Sequence, residues 1–188
     1  MPALASLSDP KVYHILTYGT LLGSNLYQTF LNGPVSYKAL PRASFSTLQQ
    51  AIFPPYFSLQ SALPILLALT WPGDKIAGVA GRELRKDSGW AGILSGDNFW
   101  VAGVPVALMF LTSAVNLVWF GPATTKILRE RKHQETRDGK RYWDKGDHSV
   151  EMTKLNKNFN ILHGIASATN LVGTFAALYY GAVLAERI

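Results

Sequence analysis

The stretch that decides the fold is "FWVAGVPVALMFLTSAVNLVWFGP" (residues 99–122), which contains no charged side chain. A second uncharged stretch lies between Arg42 and Asp74. Apolar segments of about 18 or more residues with few charges are typical of transmembrane helices, because about 20 helical residues cross the hydrocarbon core of a bilayer. The sequence therefore predicts an integral membrane protein.

The composition agrees with a membrane protein. Of the 188 residues, 48% are hydrophobic and only 16% are charged, against about 25% charged in soluble domains. The net charge of +6 is assigned to loops beside the membrane, where basic residues set topology and contact anionic lipid headgroups. No nucleic-acid partner is predicted. The sequence contains no cysteine, which excludes disulfides and thiolate metal sites.

The apolar segments predict one polytopic membrane domain over residues 1–188, with an all-α fold. The fold is a four-helix bundle with an extended basic cytosolic hairpin between spans three and four. The predicted segments are spans at about 11–34, 53–71, 98–120 and 158–184, an interfacial helix at about 44–52, and a cytosolic loop at 121–157.

Local signals define several helix boundaries. Ser8 or Asp9 is expected to cap the first helix. The pair Pro54-Pro55 is expected to end the interfacial helix and to bend the chain into the bilayer. The helix of the third span is expected to continue past Pro122 and to stop at a turn formed by Asp138-Gly139.

The distribution of Lys and Arg predicts the orientation. The loops after spans one and three contain twelve of these residues, and the rest of the chain contains six. By the positive-inside rule, both loops face the cytosol and both termini face away from it. The acidic residues of loop 121–157 interleave with its bases, which favours a solvated helical hairpin over a nucleic-acid or phosphoinositide patch.

Polar side chains recur at helical spacing within the predicted spans, and "FNILHGIASATNL" (159–171) contains four of them. Lipid cannot satisfy their hydrogen-bonding groups, so they are expected to face one another. The predicted polar seam, which is also the candidate solute site, consists of His163, Asn116, Gln28, Asn32, Gln60, Asn25 and Asn170. His14 is placed roughly 20 Å from His163 along the bundle axis. The two histidines therefore cannot share a metal ion, and no metal or other cofactor is predicted.

Two interpretations of this seam remain open. In the structural one, the side chains bond across helices and each bond contributes about 0.6 kcal/mol. In the functional one, His163, Asn116 and Gln28 line a cavity that admits a polar solute or a proton. The structural interpretation is favoured because no Asp, Glu, Lys or Arg lies in the core of a span. No nucleophile, base and acid occur together, so the chain is not expected to be an enzyme.

Other residues have more local interpretations. Arg42 is expected either to pair with a lipid phosphate or to complement the carbonyl end of span one. Thr124 and Thr125 are expected to cap the helix that follows Pro122. Gly19 with Gly23, and Gly164 with Ala168, form pairs of small residues four positions apart, which suit contacts between copies if they face outward.

Three blocks resemble a known family: "LPRASFSTLQQAIFPPYF" (40–57), "AVNLVWFGPATTKILRERKHQE" (114–135) and "LNKNFNILHGIASATNL" (155–171). They are similar to the transmembrane protein 205-like family, and the charged third loop resembles fungal members. The resemblance implies a small polytopic protein of endomembranes or the cell surface, with associations to secretory traffic and to tolerance of metal-containing drugs. It implies no settled activity, cofactor or ligand.

Together these observations predict a non-enzymatic membrane protein that self-associates or serves as a subunit of a membrane complex or as a trafficking or stress-tolerance factor. The alternative is a small transporter or channel for a polar solute or metal complex at the His163 cluster. The predicted partners are membrane lipids and a second copy or another membrane protein. The predicted location is the endoplasmic reticulum or another endomembrane, with the plasma membrane and the mitochondrial outer membrane as alternatives.

Overall fold

The computed structural model describes residues 9–76 and 84–187, which form four long helices and a short β-ribbon. The first long helix consists of α1 (Pro10–Leu26), a π-helical turn π1 (Tyr27–Asn32) and α2 (Gly33–Ala39). The second is α3 (Arg42–Leu69). The third consists of α5 (Gly96–Asn98), π2 (Phe99–Gly103), α6 (Val104–Val115), π3 (Asn116–Phe120) and α7 (Gly121–Asp138), and the fourth is α8 (Val150–Arg187).

Between the second and third long helices lie β1 (Asp74–Ile76), β2 (Leu84–Lys86) and the short helix α4 (Gly89–Ile93). The two strands pair in antiparallel register. Three long helices, Arg42–Leu69, Gly96–Asp138 and Val150–Arg187, are long and apolar enough to cross a membrane. The all-α membrane fold is thus confirmed, whereas the count of four spans stays a prediction.

The first helix starts where the sequence predicts. The side chain of Asp9 accepts a hydrogen bond from the backbone N–H of Lys11 at 3.0 Å, and Pro10 occupies the first helical position. Proline suits this position because its missing N–H would have no partner there. Ser8, the other predicted cap, lies outside the described residues.

Each π-helical turn ends two residues before a proline, namely Pro34, Pro105 and Pro122. The wider turn is seen in the bonds of Val104 N–H to Phe99 O and of Gly121 N–H to Asn116 O, which span five residues. A proline inside an α-helix lacks one N–H and collides with the carbonyl four residues earlier. A π-helical bulge gives that carbonyl room, so the helix continues.

This continuity overturns one predicted cap. No side chain caps α7, because α7 extends π3 without a break. Thr124 and Thr125 therefore lie inside a helix, and the interpretation of these two residues as caps is wrong. The continuation past Pro122 and the stop at Gly139, which has a φ of 62°, are confirmed.

The second long helix is also continuous. The sequence predicts a separate interfacial helix at 44–52 and a span at 53–71, but α3 runs unbroken from Arg42 to Leu69 with Pro54 and Pro55 inside it. Contacts with the first long helix occur on both sides of the prolines, at Gln49 and at Gln60. Packing against one neighbour along its whole length stabilises a single helix, despite the local cost of proline.

The core lies between the four long helices, and it is apolar at the end near the β-ribbon. Its buried members are Leu21, Leu63, Leu67, Ala68, Trp71, Ile93, Ala102, Val106, Met109, Ala176, Ala177, Tyr180 and Leu184. The ribbon covers this end. Arg187 forms an ion pair with Asp74, and the Nη1 group of Arg85 donates to the carbonyl of Arg187 at 2.7 Å. The C-terminal turn of α8 is thereby fixed to β1 and β2.

Candidate functional site

A fully buried histidine lies at the end of the bundle that the ribbon covers. His14 is 0% exposed, with Nδ1 at 2.9 Å from Thr70 Oγ1 and Nε2 at 2.9 Å from the hydroxyl of Tyr180. The hydroxyl of Thr70 donates its proton to the carbonyl of Leu66 at 2.7 Å, so it accepts from His14. His14 therefore donates from Nδ1, and in the neutral imidazole Nε2 then accepts from the hydroxyl of Tyr180.

Near the centre, two side-chain contacts join the first and fourth long helices. The hydroxyl of Thr174 donates to Asn25 Oδ1 at 2.7 Å. The Nδ2 group of Asn170 donates to Thr29 Oγ1 at 2.9 Å, while its Oδ1 accepts from the hydroxyl of Tyr56 at 3.1 Å. Asn170 thus connects three helices. This is expected of an amide in a membrane helix, because lipid offers it no hydrogen-bond partner.

Gln60 borders a small polar cavity in the middle of the bundle. Its Nε2 donates to the carbonyl of Leu21 at 3.1 Å and to Ser24 Oγ at 2.8 Å. The cavity has about 10 Å³ for the centre of a water molecule, and its lining residues are Leu21, Asn25, Gln60, Met109, Thr112, Ser113, Asn170 and Gly173. A space of this size holds one water. The side-chain amides of Gln60 and Asn25 line the cavity and can bond to that water.

A chain of hydrogen bonds follows the first long helix toward its C-terminal end. Ser36 Oγ donates to Asn32 Oδ1 at 3.1 Å, and Asn32 Nδ2 donates to Gln28 Oε1 at 2.8 Å. Gln28 Nε2 then reaches Gln49 Oε1 at 3.4 Å. Of the predicted seam residues, Asn25, Gln28, Gln60 and Asn170 therefore bond to side chains of a neighbouring helix, whereas Asn32 bonds to two side chains of its own helix.

Asn116 is buried but isolated from the rest of the seam. It is 0% exposed, and its Nδ2 donates to the carbonyl of Thr112 in its own helix at 3.0 Å. Its Oδ1 has no partner in the described part of the chain. Asn116 makes no hydrogen bond to Gln28 or His163, so the structure does not assemble the predicted three-residue cluster.

His163 does not belong to the seam. It is exposed and stacks on Phe159 with ring centroids 5.6 Å apart. The register of the third and fourth long helices gives the reason. Gly173 faces Thr112, and the helices are antiparallel, so His163 lies level with Pro122, the last residue of the uncharged stretch. The prediction that His163 is the centre of a solute site is wrong.

Several members of the observed hydrogen-bond network were not predicted from the sequence. Thr70 and Tyr180 bond to His14, and Tyr56 bonds to Asn170. Trp71 packs edge-on against His14 at 6.3 Å between ring centroids. Tyrosines at the ends of spans are commonly anchors at the membrane interface. The sequence alone therefore does not indicate that Tyr56 and Tyr180 bond to buried polar side chains. A signal was available, since a histidine inside an apolar helix requires partners at its own depth.

Arg42 lies outside the seam, at the turn between the first and second long helices. Its guanidinium lies 3.8 Å from the ring centroid of Tyr37, and no acid pairs with it within residues 9–76 and 84–187. In the same described ranges, no three His, Asp or Glu side chains come together as metal ligands.

Comparison with known proteins gives a family and two relatives. Residues 16–133 match the family described as "Domain of unknown function (DUF4149)". The chain is 27% identical over 185 residues to "Xanthocillin biosynthesis cluster protein D" of Aspergillus fumigatus, covering 98% of this chain and 95% of the relative. It is 24% identical over 193 aligned positions to "Transmembrane protein 205" of Danio rerio, covering 92% of each. No solved structure matches.

These findings agree with the apolar helices. The resemblance to the transmembrane protein 205-like family is confirmed, and the chain is an integral membrane protein. Neither the family description nor the name of the zebrafish relative indicates catalysis.

Proposed function

This chain belongs to the DUF4149 family, and on that premise we propose that it is a non-enzymatic membrane protein that works through association. The partner is a second copy of the chain or another subunit of a membrane complex. The polar seam has a structural role in this proposal, because it fixes the bundle whose outer surface makes the contacts.

The observation that carries the proposal is that buried polar side chains of neighbouring helices bond directly to one another. Both nitrogens of His14 have partners, and so do both polar atoms of the Asn170 amide. The cavity beside Gln60 has room for one water and no larger solute. The residues of the proposed solute path, His163, Asn116 and Gln28, are not joined. This arrangement supports a scaffold over the transporter alternative.

Two exposed glycines of the first long helix support association with a second copy. A Cβ atom added at Gly19 or at Gly23 would meet nothing within 4 Å. Packing inside the chain therefore does not require glycine at either position. Small residues four positions apart let two membrane helices approach closely.

Reconstitution into liposomes tests the proposal. We expect single-molecule photobleaching to show more than one copy per complex, and we expect proton and small-solute flux to equal that of empty liposomes. The double variant Gly19→Leu with Gly23→Leu should shift the population to single copies at an unchanged unfolding midpoint. Ala107→Leu, on an exposed position of the third long helix, is the control and should leave association unchanged.

Flux of a solute or of protons through the reconstituted protein would favour the transporter alternative. If the wild type conducts a solute or protons, and Gln60→Leu abolishes the flux without lowering the unfolding midpoint, the seam is a pathway and the proposal fails. If the wild type neither conducts nor forms complexes with itself, a second membrane subunit is required. Crosslinking within native membranes, followed by measurement of the stoichiometry, tests whether the partner is a different membrane subunit.

The cellular location and role are carried by the family resemblance. An endomembrane location and a trafficking or stress-tolerance role accord with it. Microscopy of the tagged chain with organelle markers tests the location. A signal at the cell surface or in mitochondria would contradict the endomembrane location.

A further inference from the structure

The part of the α7–α8 hairpin nearest the apolar spans presents basic side chains with few acidic partners. Its exposed bases are Lys126, Arg129, Lys154 and Lys157. Lys126 lies 4.0 Å from Glu130, a loose pair between exposed side chains. No ion pair within 4 Å is found for the other three bases in the described ranges. Exposed pairs of this kind contribute little, so all four bases remain available to an external anion.

The acidic side chains near the tip of the hairpin are used to fold that tip. Glu135 accepts from the backbone N–H of Tyr142 at 3.1 Å, and Asp144 accepts from that of Arg141 at 2.9 Å. Asp138 accepts from the hydroxyl of Ser149 at 2.7 Å. Positive and negative charges interleave in the sequence, but the fold binds these acids at the far end of the hairpin.

One basic residue is buried and holds the hairpin together. Arg131 is 5% exposed, and its guanidinium lies 3.6 Å from the ring centroid of Tyr142 and 4.7 Å from that of Phe159. Met152 is 0% exposed beside the same interface. Cation–π contacts of this kind strengthen when the site is dry. Arg131 is therefore unavailable to outside ligands, and it keeps the two helices at a fixed separation.

The exposed bases lie close to the end of the apolar stretch. Lys126 is six residues beyond Phe120, which is about 9 Å along a helix. Because Gly173 faces Thr112 in antiparallel packing, Lys157 is level with residue 128. Lysine and arginine side chains extend toward a membrane surface, and charges interact over about 8–10 Å at physiological salt. Lys126, Arg129 and Lys157 are therefore the bases of the hairpin nearest to the lipid headgroups, whereas Lys154 is level with residue 131.

Two further bases lie at the same end of the bundle, in the turn between the first and second long helices. Lys38 is exposed, and the guanidinium of Arg42 is held on the Tyr37 ring with no acid beside it in the described ranges. We call these residues the basic collar: Lys38, Arg42, Lys126, Arg129, Lys154 and Lys157.

We propose that the basic collar binds the headgroups of anionic lipids in the bilayer that surrounds the chain. The occupant follows from charge complementarity, because the collar presents exposed positive charge with little acidic neutralisation next to a membrane boundary, and anionic lipids supply negative charge at that depth. The collar is rigid because α7 and α8 are locked through Arg131. This inference stands on the membrane embedding of the chain and is independent of the proposed association.

Native mass spectrometry with lipid exchange tests the collar. The purified full chain is titrated with phosphatidylserine and, separately, with phosphatidylcholine, and we expect a preference for phosphatidylserine that weakens as salt rises. A base near an anionic surface contributes about fivefold. Neutralising Lys126, Arg129 and Lys157 to glutamine should therefore lower the preference by at least about tenfold.

The matched control removes the same charge farther from the membrane. It combines Arg137→Gln, Arg141→Gln and Lys145→Gln, all at exposed positions, and it should retain the preference. The unfolding midpoint of both variants in phosphatidylcholine verifies folding, and single collar substitutions replace the threefold variant if it unfolds. Equal losses in the collar and control variants, or no preference in the wild type, would overturn the proposal. Displacement by inorganic phosphate would instead identify a free-anion site.

Discussion

The hydroxyl of Tyr180 donates to Nε2 of His14 across 2.9 Å, which joins the first turns of the first long helix to the last turns of the fourth. Both residues are 0% exposed. Thr70 accepts from the other ring nitrogen, so three helices meet at one imidazole. Since lipid offers no alternative partners, this contact fixes the relative depth of the three helices.

Removing the tyrosine hydroxyl should weaken the bundle. Tyr180→Phe leaves the Nε2 atom of His14 without its donor, and the expected loss is about 0.6–1.7 kcal/mol, the range for hydrogen bonds between membrane helices. Tyr179→Phe, at the neighbouring position that is 52% exposed, should change the free energy of unfolding by less than about 0.5 kcal/mol. Denaturant titration in mixed micelles measures both. Equal effects would contradict the assigned bond.

The two membrane histidines should respond differently to truncation. His14→Ala removes two hydrogen bonds and leaves a buried cavity, with an expected loss of about 2–4 kcal/mol. His163→Ala removes an exposed ring that stacks on Phe159, and its effect should stay within about 0.5 kcal/mol. The unfolding midpoint of each variant gives the comparison. A large loss at His163 would show that this residue is buried in an assembly of copies.

Two glycines of the fourth long helix should change stability in opposite directions. A Cβ at Gly173 would collide with the hydroxyl of Thr112, so Gly173→Ala should cost about 1–3 kcal/mol through overpacking. A Cβ at Gly164 would meet nothing within 4 Å. Gly164→Ala should therefore stabilise the helix by up to about 1 kcal/mol. Thermal unfolding of the two variants checks the sign, and a stabilising Gly173→Ala would refute the register.

The cavity beside Gln60 should contain one ordered water. X-ray radiolysis converts such a water into hydroxyl radical, which oxidises an adjacent methionine. Met109 lines the cavity, whereas Met152 is 0% exposed and is absent from its lining. Mass spectrometry should show Met109 oxidising several times faster than Met152, although both are buried. Equal, slow oxidation of the two would mean that the cavity is dry.

Properties that depend on neighbouring residues in the chain were predictable. The uncharged stretch 99–122 predicted a membrane helix, Asp9 predicted a cap, and Asp138-Gly139 predicted a turn. Each of these features depends on residues that are close together in the sequence. They could therefore be predicted without knowing how the helices pack. The break expected at Pro54-Pro55 is the exception, because contacts of α3 with the first long helix outweigh a local cost.

Partners across helices were only partly predictable. Spacing placed Asn25, Gln28, Gln60 and Asn170 on inward faces, since lipid penalises any other placement. It could not distinguish Asn170, which bonds to Tyr56 and Thr29, from His163, two turns earlier on nearly the same face. That distinction depends on how far each helix is shifted along its neighbour.

The sequence alone determined that this chain folds as apolar helices in a membrane, because charge segregation and helical period are properties of the local sequence. Tertiary structure decided which polar groups meet. The packing of Gly173 against Thr112 sets the register of the third and fourth long helices, and that register places His163 at the end of the uncharged stretch. Side-chain contacts at Tyr180 and Thr70 bury His14 instead. A shift of one turn along a helix changes depth by about 5.4 Å, and only the fit between side chains of different helices fixes it.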